Sequence, residues 1–243
     1  MKHIIHILLI GVLAAAPLAL FAQTTSGEAS KVQITAAQKV RILAGDSSAV
    51  IEAIEAAGFT AENNQFVAEF AADIFDQVTA EMDALELEAQ AEPVSATIMR
   101  AFTQVATANT TTPPSVVAQT VRQASKATSK AAVKAAVAKG ANAGNVAQSA
   151  ARGASIGARE GSAGTGAQTA SITEAAYSGS ADGAGEGADE SGLDGDAIVA
   201  QSNTGSSEGG STPTDGGADS RPVITDTDFD TIVVSPEGQL ADN

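Results

Sequence analysis

The chain has 243 residues and a net charge of −16, it contains no cysteine or tryptophan, and its two histidines are His3 and His6. A chain that loses its first residues therefore has no thiol and no imidazole, which excludes Ser-His-Asp and Cys-His catalysis and the usual zinc ligands. Catalysis by a pair of carboxylates remains, but such sites hold sugars in aromatic-lined clefts and only 3% of the residues are aromatic. The composition favours a protein that is not an enzyme and has no cofactor.

Residues 1–22 have the layout of a secretory signal peptide. A short basic start, MKHIIH, precedes an uncharged apolar run, and Ala22 is a small residue suited to cleavage. Gly11 and Pro17 interrupt that run, which favours a cleaved signal over a retained membrane span. We therefore expect an exported, periplasmic or extracellular protein whose mature chain begins near Gln23.

Residues 30–108 hold nearly all the large apolar residues, and we expect them to form a small helical domain. The pattern predicts two short helices, 35–44 and 48–57, followed by a long one over 61–91. That third helix carries an apolar stripe at helical spacing, its predicted core: Phe66, Phe70, Ile74, Val78, Met82 and Leu85. Pro93 is expected to end it, because proline disfavours the helical conformation of the preceding residue. A fourth helix is predicted over 94–106.

Residues 113–160 form an alanine-rich basic segment that predicts a fifth helix over 114–139, stopped by Gly140, and a sixth over 144–158. The fifth carries a basic row at four-residue spacing: Arg122, Lys126, Lys130 and Lys134. The predicted third helix is acidic and carries Glu62, Glu69, Asp73, Asp76, Glu81, Asp83, Glu86 and Glu88. We expect the basic row to pack antiparallel against this acidic third helix. The alternative is that the row binds an anionic lipid or polysaccharide surface, whereas the strongly acidic chain and the lack of nearby aromatics argue against nucleic acid.

The sixth helix contains three glycines at four-residue spacing, Gly153, Gly157 and Gly161. In an apolar membrane helix such a row is a close-packing face. Charged residues interrupt the row here, so it is not a membrane span. A fraying helix end is the favoured interpretation, with contact to another helix as the alternative.

Residues 161–243 are rich in Gly, Ser and Asp, have low complexity, and contain fifteen acidic residues against one basic residue. Because they offer few large apolar groups to offset chain entropy, we expect a long disordered acidic tail. Four acidic residues in it match positions 1, 3, 5 and 12 of a calcium-binding EF-hand loop: Asp226, Asp228, Asp230 and Glu237. Thr231 replaces the glycine that such a loop requires, so an acidic strand-like segment is preferred to a calcium site.

The sequence thus predicts a mainly α protein, in which a small helical bundle is extended by alanine-rich helices and followed by an acidic tail. The expected role is that of an exported structural or interaction protein, with helices packing on each other, on a second copy or on an unidentified protein partner. The alternative role is binding to an anionic lipid or polysaccharide surface through the basic row, with contact to a membrane surface.

Overall fold

The computed structural model describes residues 31–59, 66–165 and 168–210, and these residues confirm the mainly helical fold class. They form eight α-helices: α1 (Ala36–Leu43), α2 (Ser47–Ala56), α3 (Val67–Thr79), α4 (Ala84–Ala108), α5 (Pro114–Lys139), α6 (Ala143–Gly161), α7 (Gln168–Glu190) and α8 (Gly195–Gly210). The predicted signal peptide lies outside the described residues.

The long helices are stacked in two rows. One row contains α4, α6 and α8, and the other contains α3, α5 and α7, with each helix packed against its row neighbours. Consecutive helices run antiparallel: the Nζ atom of Lys139, at the end of α5, donates to the Met82 carbonyl oxygen just before α4, at 2.6 Å. Neighbours within a row therefore run parallel. The α1–α2 pair packs against α4 at the beginning of the stack.

The predicted third helix is wrong in its length, because the chain turns at residues 80–83 and starts again as α4. Asp83 and Glu86 form a capping box: the Asp83 side chain accepts from the Glu86 N–H at 2.9 Å, and the Glu86 side chain accepts from the Asp83 N–H. A capping box satisfies two N–H groups that a new helix would otherwise leave unpaired, so it competes well with continuation of the preceding helix.

Pro93 does not end a helix, as the sequence suggested, but lies inside α4. The predicted fourth helix, 94–106, is the second half of this same element. A proline inside a helix removes the hydrogen bond to the carbonyl of the residue four positions earlier, here Ala89. Ala89 is exposed, so solvent can satisfy its carbonyl and the helix continues.

The predicted core stripe is confirmed for its middle residues, and the prediction is wrong for its last residue, Leu85. Phe70, Ile74 and Val78 are buried, while Phe66 and Met82 are partly buried and pack against the core. Leu85 is 78% exposed. The turn at 80–83 separates it from the α3 stripe and rotates it away from the core.

The ends of α1, α2, α5 and α6 agree with the capping and stop signals in the sequence. The Asp46 side chain accepts from the Ser48 N–H at the start of α2, and Gly45 and Gly58 take positive φ after α1 and α2. The predicted fifth helix is confirmed, with Pro114 in its first turn and Gly140 at a φ of 69° as its left-handed cap. The predicted sixth helix is confirmed as α6, which the Asn142 side chain caps.

The prediction of disorder from residue 161 onward is wrong for residues 168–210, which form α7 and α8. These helices bury Ile172, together with alanine, serine and glycine, rather than many large side chains. An estimate based on large apolar residues alone misses this kind of packing. Residues 211–243, including the strand-like segment, lie outside the described residues.

The described residues form two hydrophobic clusters: a large one with members from Val32 to Ala176, and a small one of Val133, Ala147, Ala184 and Ala188. The large cluster contains a group of aromatic side chains: the Phe59 ring packs edge-on against Phe70 and Phe102, with centroid distances of 6.2 and 5.6 Å. In α7 and α8 the buried residues are alanine, glycine and serine, with Ile172 as the one large apolar side chain among them. In the part of the chain that the structure describes, no helix is both long and apolar enough to cross a membrane.

Candidate interaction surface

The glycine rows bring neighbouring helices of a row into backbone contact. In α6, a Cβ atom added at Gly153 or Gly157 would lie less than 3.0 Å from the carbonyl oxygen of Glu92 or Ala96 in α4. The same holds for Gly183 of α7 against the Lys126 carbonyl oxygen in α5. Real Cβ atoms do not approach this closely, so the glycines are required where they stand. The favoured interpretation of a fraying end is wrong, and the alternative of a helix contact is correct.

Two glycines of α8 repeat this arrangement against α6. A Cβ atom added at Gly205 or Gly209 would lie less than 3.0 Å from the carbonyl oxygen of Gln148 or Arg152. Close approach of two helix backbones increases dispersion contact and allows Cα–H groups to reach carbonyl oxygens. Inside the α5–α7 contact, the Ser125 hydroxyl donates to the Ala176 carbonyl oxygen at 2.7 Å. The small-residue faces therefore replace the large side chains that the later helices lack.

The basic row of α5 forms a ladder of ion pairs with an acidic row on α7. Its members pair as follows: Arg122 with Asp182, Lys126 with Glu186, Lys130 with Glu186 and Glu190, and Lys134 with Glu190. Arg122 and Asp182 are 60 residues apart in the sequence, and so are Lys130 and Glu190. This constant separation shows that α5 and α7 run parallel, with their charged rows in register.

The partner of the basic row was thus predicted wrongly, because the ladder forms with α7 and not with the acidic third helix. That acidic helix is α3, which does pack against α5, but parallel and not antiparallel. Asp76 of α3 is the acidic residue there that Lys134 influences. Consecutive helices must alternate in direction when turns are short, so α3 and α5, separated by α4, point the same way.

Pairing shifts the pKa values of two ladder groups, Lys130 and Glu190, in the direction expected for opposite charges. The hydrogen bond from Lys130 lowers the pKa of Glu190, with a further contribution from Lys134. The same hydrogen bond raises the pKa of Lys130. In the groove beside the ladder, desolvation and the nearby Asp73 charge raise the pKa of Asp76, and Lys134 opposes this.

That groove runs between α3 and α5 and has a volume of about 330 Å³. Its walls carry alanines together with charged side chains from three helices: Ala68, Ala72, Asp76, Lys126, Ala127, Lys130, Ala131, Lys134 and Glu186. Three lysines, one aspartate and one glutamate nearly balance in charge. The groove therefore offers no strong field for an anionic or a cationic ligand.

Replacing Lys126, Lys130 and Lys134 together with glutamate is expected to loosen α7 from α5. Each pair is about half exposed, so a single contact is worth about 0.2–1 kcal/mol, but the triple change places like charges along the whole ladder. The measurement is the urea midpoint of the full chain. The control is the same triple change combined with Glu186→Lys and Glu190→Lys, which restores opposite charges and should recover most of the midpoint. Equal loss in both variants would contradict the ladder.

The other predicted site residues are not brought together by the described part of the fold. No group of three or more His, Cys, Asp or Glu side chains suited to a metal ion occurs among the described residues. The calcium-type residues Asp226, Asp228, Asp230 and Glu237 lie outside these residues, so that interpretation stays a prediction.

The acidic row of α7 is the main site feature that the sequence reasoning missed. Asp182, Glu186 and Glu190 have the same four-residue spacing as the basic row, and that match was available as a signal. A second signal is a tetrapeptide, Val-Ala-Gln-Thr or Val-Ala-Gln-Ser, at 117–120, 146–149 and 199–202. It falls near the beginning of α5, α6 and α8, which indicates that these helices share a repeating pattern.

Comparison of the chain with models of protein families, with curated proteins and with solved structures finds no match. The described residues define an all-α protein, a stack of helices joined by small-residue contacts and by an ion-pair ladder.

Proposed function

We propose that this chain is an exported, non-enzymatic structural or interaction protein whose stacked helices form a scaffold for contacts with protein partners. The observation that supports it best is the use of the charged row of α5 inside the molecule. The four basic side chains, which were the strongest candidates for ligand binding, are in ion pairs with α7.

The glycine contacts support the same proposal. Helices that meet at backbone distance cannot slide or rotate without steric overlap, so the arrangement of α4 to α8 is held rigidly. Rigid stacks of helices are used in proteins that present an extended surface to a partner. Export is part of the proposal and rests on the signal-like residues 1–22.

Binding to an anionic surface remains the alternative function. It would require the basic row to leave its acidic partners, which costs the ion pairs and exposes the carboxylates of α7 to the same anionic surface. The 168–210 region carries eight acidic residues and no basic one, so the ladder side of the molecule would repel that surface.

One experiment separates the two functions. The full chain is mixed with vesicles of phosphatidylglycerol and phosphatidylcholine, or with heparin, at 50 and 300 mM salt, beside the Lys126→Glu, Lys130→Glu, Lys134→Glu variant. The proposal predicts no binding by the wild type at either salt concentration. Binding that salt abolishes, and that the variant lacks, would make the anionic surface the leading account.

A positive test uses cross-linking in the native cell. A photo-reactive amino acid is placed at Thr204, on the exposed side of α8, or at the buried Ala132 as a control. The proposal predicts discrete protein adducts from exposed positions and none from Ala132. Absence of protein adducts from exposed positions around the whole stack would overturn it.

A further inference from the structure

We propose that Asn109, in the turn between α4 and α5, is an acceptor site for an N-linked glycan. Asn109, Thr110 and Thr111 form an Asn-x-Thr tripeptide with a residue other than proline in the middle, which is the pattern to which such glycans are attached. No other asparagine of the sequence is followed two positions later by serine or threonine. The proposal rests on the proposed function, because glycans of this kind are added to exported chains.

The first argument is the position of this tripeptide in the fold. Asn109, Thr110 and Thr111 are exposed. By contrast, Phe102 and Ala106, which precede them in α4, are buried. A glycan is bulky and polar, so its acceptor has to lie on the surface, outside the packed faces of the helices. The α4–α5 turn meets this condition, because its side chains already reach solvent.

The second argument is the conformation of the Asn109 side chain. Its Oδ1 atom accepts two hydrogen bonds from Thr111, one from the main-chain N–H at 3.0 Å and one from the hydroxyl at 2.7 Å. This is an Asx turn, in which an asparagine side chain closes a ring with the residue two positions further on. The threonine hydroxyl that the tripeptide requires is therefore in direct contact with the amide that receives the sugar.

The third argument is that the reacting atom, Nδ2 of Asn109, is accessible. The structure gives this side chain hydrogen bonds at Oδ1, and Nδ2 donates to none of the described residues. The asparagines at two other helix positions differ. The Asn142 side chain caps α6, and Asn203 has Gly205 at the position where the hydroxyl is needed.

The reaction is a group transfer from a saccharide that is linked to a lipid diphosphate. The Nδ2 atom of Asn109 attacks the anomeric carbon of the saccharide, so that an N–C bond forms and the bond from that carbon to the phosphate oxygen breaks. The lipid diphosphate leaves with the electron pair of the broken bond, and one Nδ2 proton passes to a base of the transferase. The two hydrogen bonds from Thr111 hold Oδ1 in the turn, which leaves Nδ2 as the end of the amide that the transferase meets.

The experiment measures the mass of the full chain from native cells and of its tryptic peptide 101–122, which contains Asn109 and ends at the next basic residue after Arg100. We expect this peptide to carry a saccharide, and its release by a peptide-N-glycosidase to leave an aspartate at position 109. Thr111→Ala should abolish the modification, and Thr111→Ser, which keeps the hydroxyl, should retain it. Thr110→Ala is the matched control, because it changes the neighbouring exposed threonine and leaves the Asn-x-Thr pattern intact, so the glycan should remain.

The outcomes separate this site from the proposed export. An unmodified peptide 101–122 in a chain processed near Gln23 would overturn the site and leave export standing. A saccharide that survives Thr111→Ala, or that is attached to a threonine, would also overturn it. A chain that keeps Met1 would contradict export instead. The full chain is then translated behind an established signal peptide into microsomes that contain the transferase, where attachment at Asn109 supports the site and its absence overturns it.

Discussion

Gly183→Ala is expected to destabilise the protein, although alanine is normally the better residue inside a helix. A Cβ atom at this position would overlap the carbonyl oxygen of Lys126, so α7 must move away from α5. Overpacking of this kind costs about 1–3 kcal/mol, which exceeds the gain of roughly 0.5–1 kcal/mol that alanine brings to a helix. The measurement is the free energy of unfolding of the full chain in urea.

Gly210→Ala is the matched control for this change. Its added Cβ would lie 3.8 Å from a methyl carbon of Thr173, which is ordinary van der Waals contact. The control should leave stability unchanged or raise it slightly. If alanine has the same effect at positions 183 and 210, the close approach of α5 and α7 is wrong.

Phe70→Ala is expected to destabilise the protein by about 3–5 kcal/mol. Phe70 is 1% exposed and packs against Phe59 and Phe66, with ring centroids 6.2 and 6.1 Å away. The alanine would leave a cavity between the rings of Phe59 and Phe66. The urea midpoint measures the loss.

Leu85→Ala is the control for Phe70→Ala, because the sequence places both residues in one apolar stripe while the structure exposes Leu85. Its effect should stay within about 0.5 kcal/mol, as for other surface substitutions. A large loss for Leu85→Ala would mean that the stripe continues through residues 80–83 as one helix.

The N-terminal half of the fold was largely predictable from the sequence, because large apolar residues at helical spacing and helix-capping residues both mark the helices there. Phe70, Ile74 and Val78 repeat at helical spacing, and all three are buried. The error at Leu85 came from giving the apolar period more weight than the capping pair Asp83 and Glu86. A local hydrogen-bond pattern decides where a helix begins even when the apolar pattern continues.

The C-terminal half was not predictable from hydrophobic content. Its helices are held together by close contact between their backbones and not by the burial of large side chains. Gly183 and Gly205 contribute nothing to an apolar count, yet they let whole backbones meet. The same residues weaken an isolated helix, so local propensity argued for disorder. Their role is seen only in the contact of each glycine with a backbone carbonyl of another helix, Lys126 for Gly183 and Gln148 for Gly205.

The candidate site shows the same division. Arg122, Lys126, Lys130 and Lys134 were identified correctly as a row, since their spacing is local information. Their partners Asp182, Glu186 and Glu190 lie in a region that composition alone assigned to a tail. A long-range contact of this kind needs both rows to be recognised as helices before they can be matched.

Hydrogen exchange tests whether residues 168–210 form helices packed onto α5 and α6. Amide exchange of the full chain is followed by mass spectrometry at neutral pH, with peptides covering α7 and α8. The account predicts slow exchange in 172–188 and 198–208, lost together with that of α5 when urea is added. Exchange throughout 168–210 at the rate of the denatured chain would contradict it.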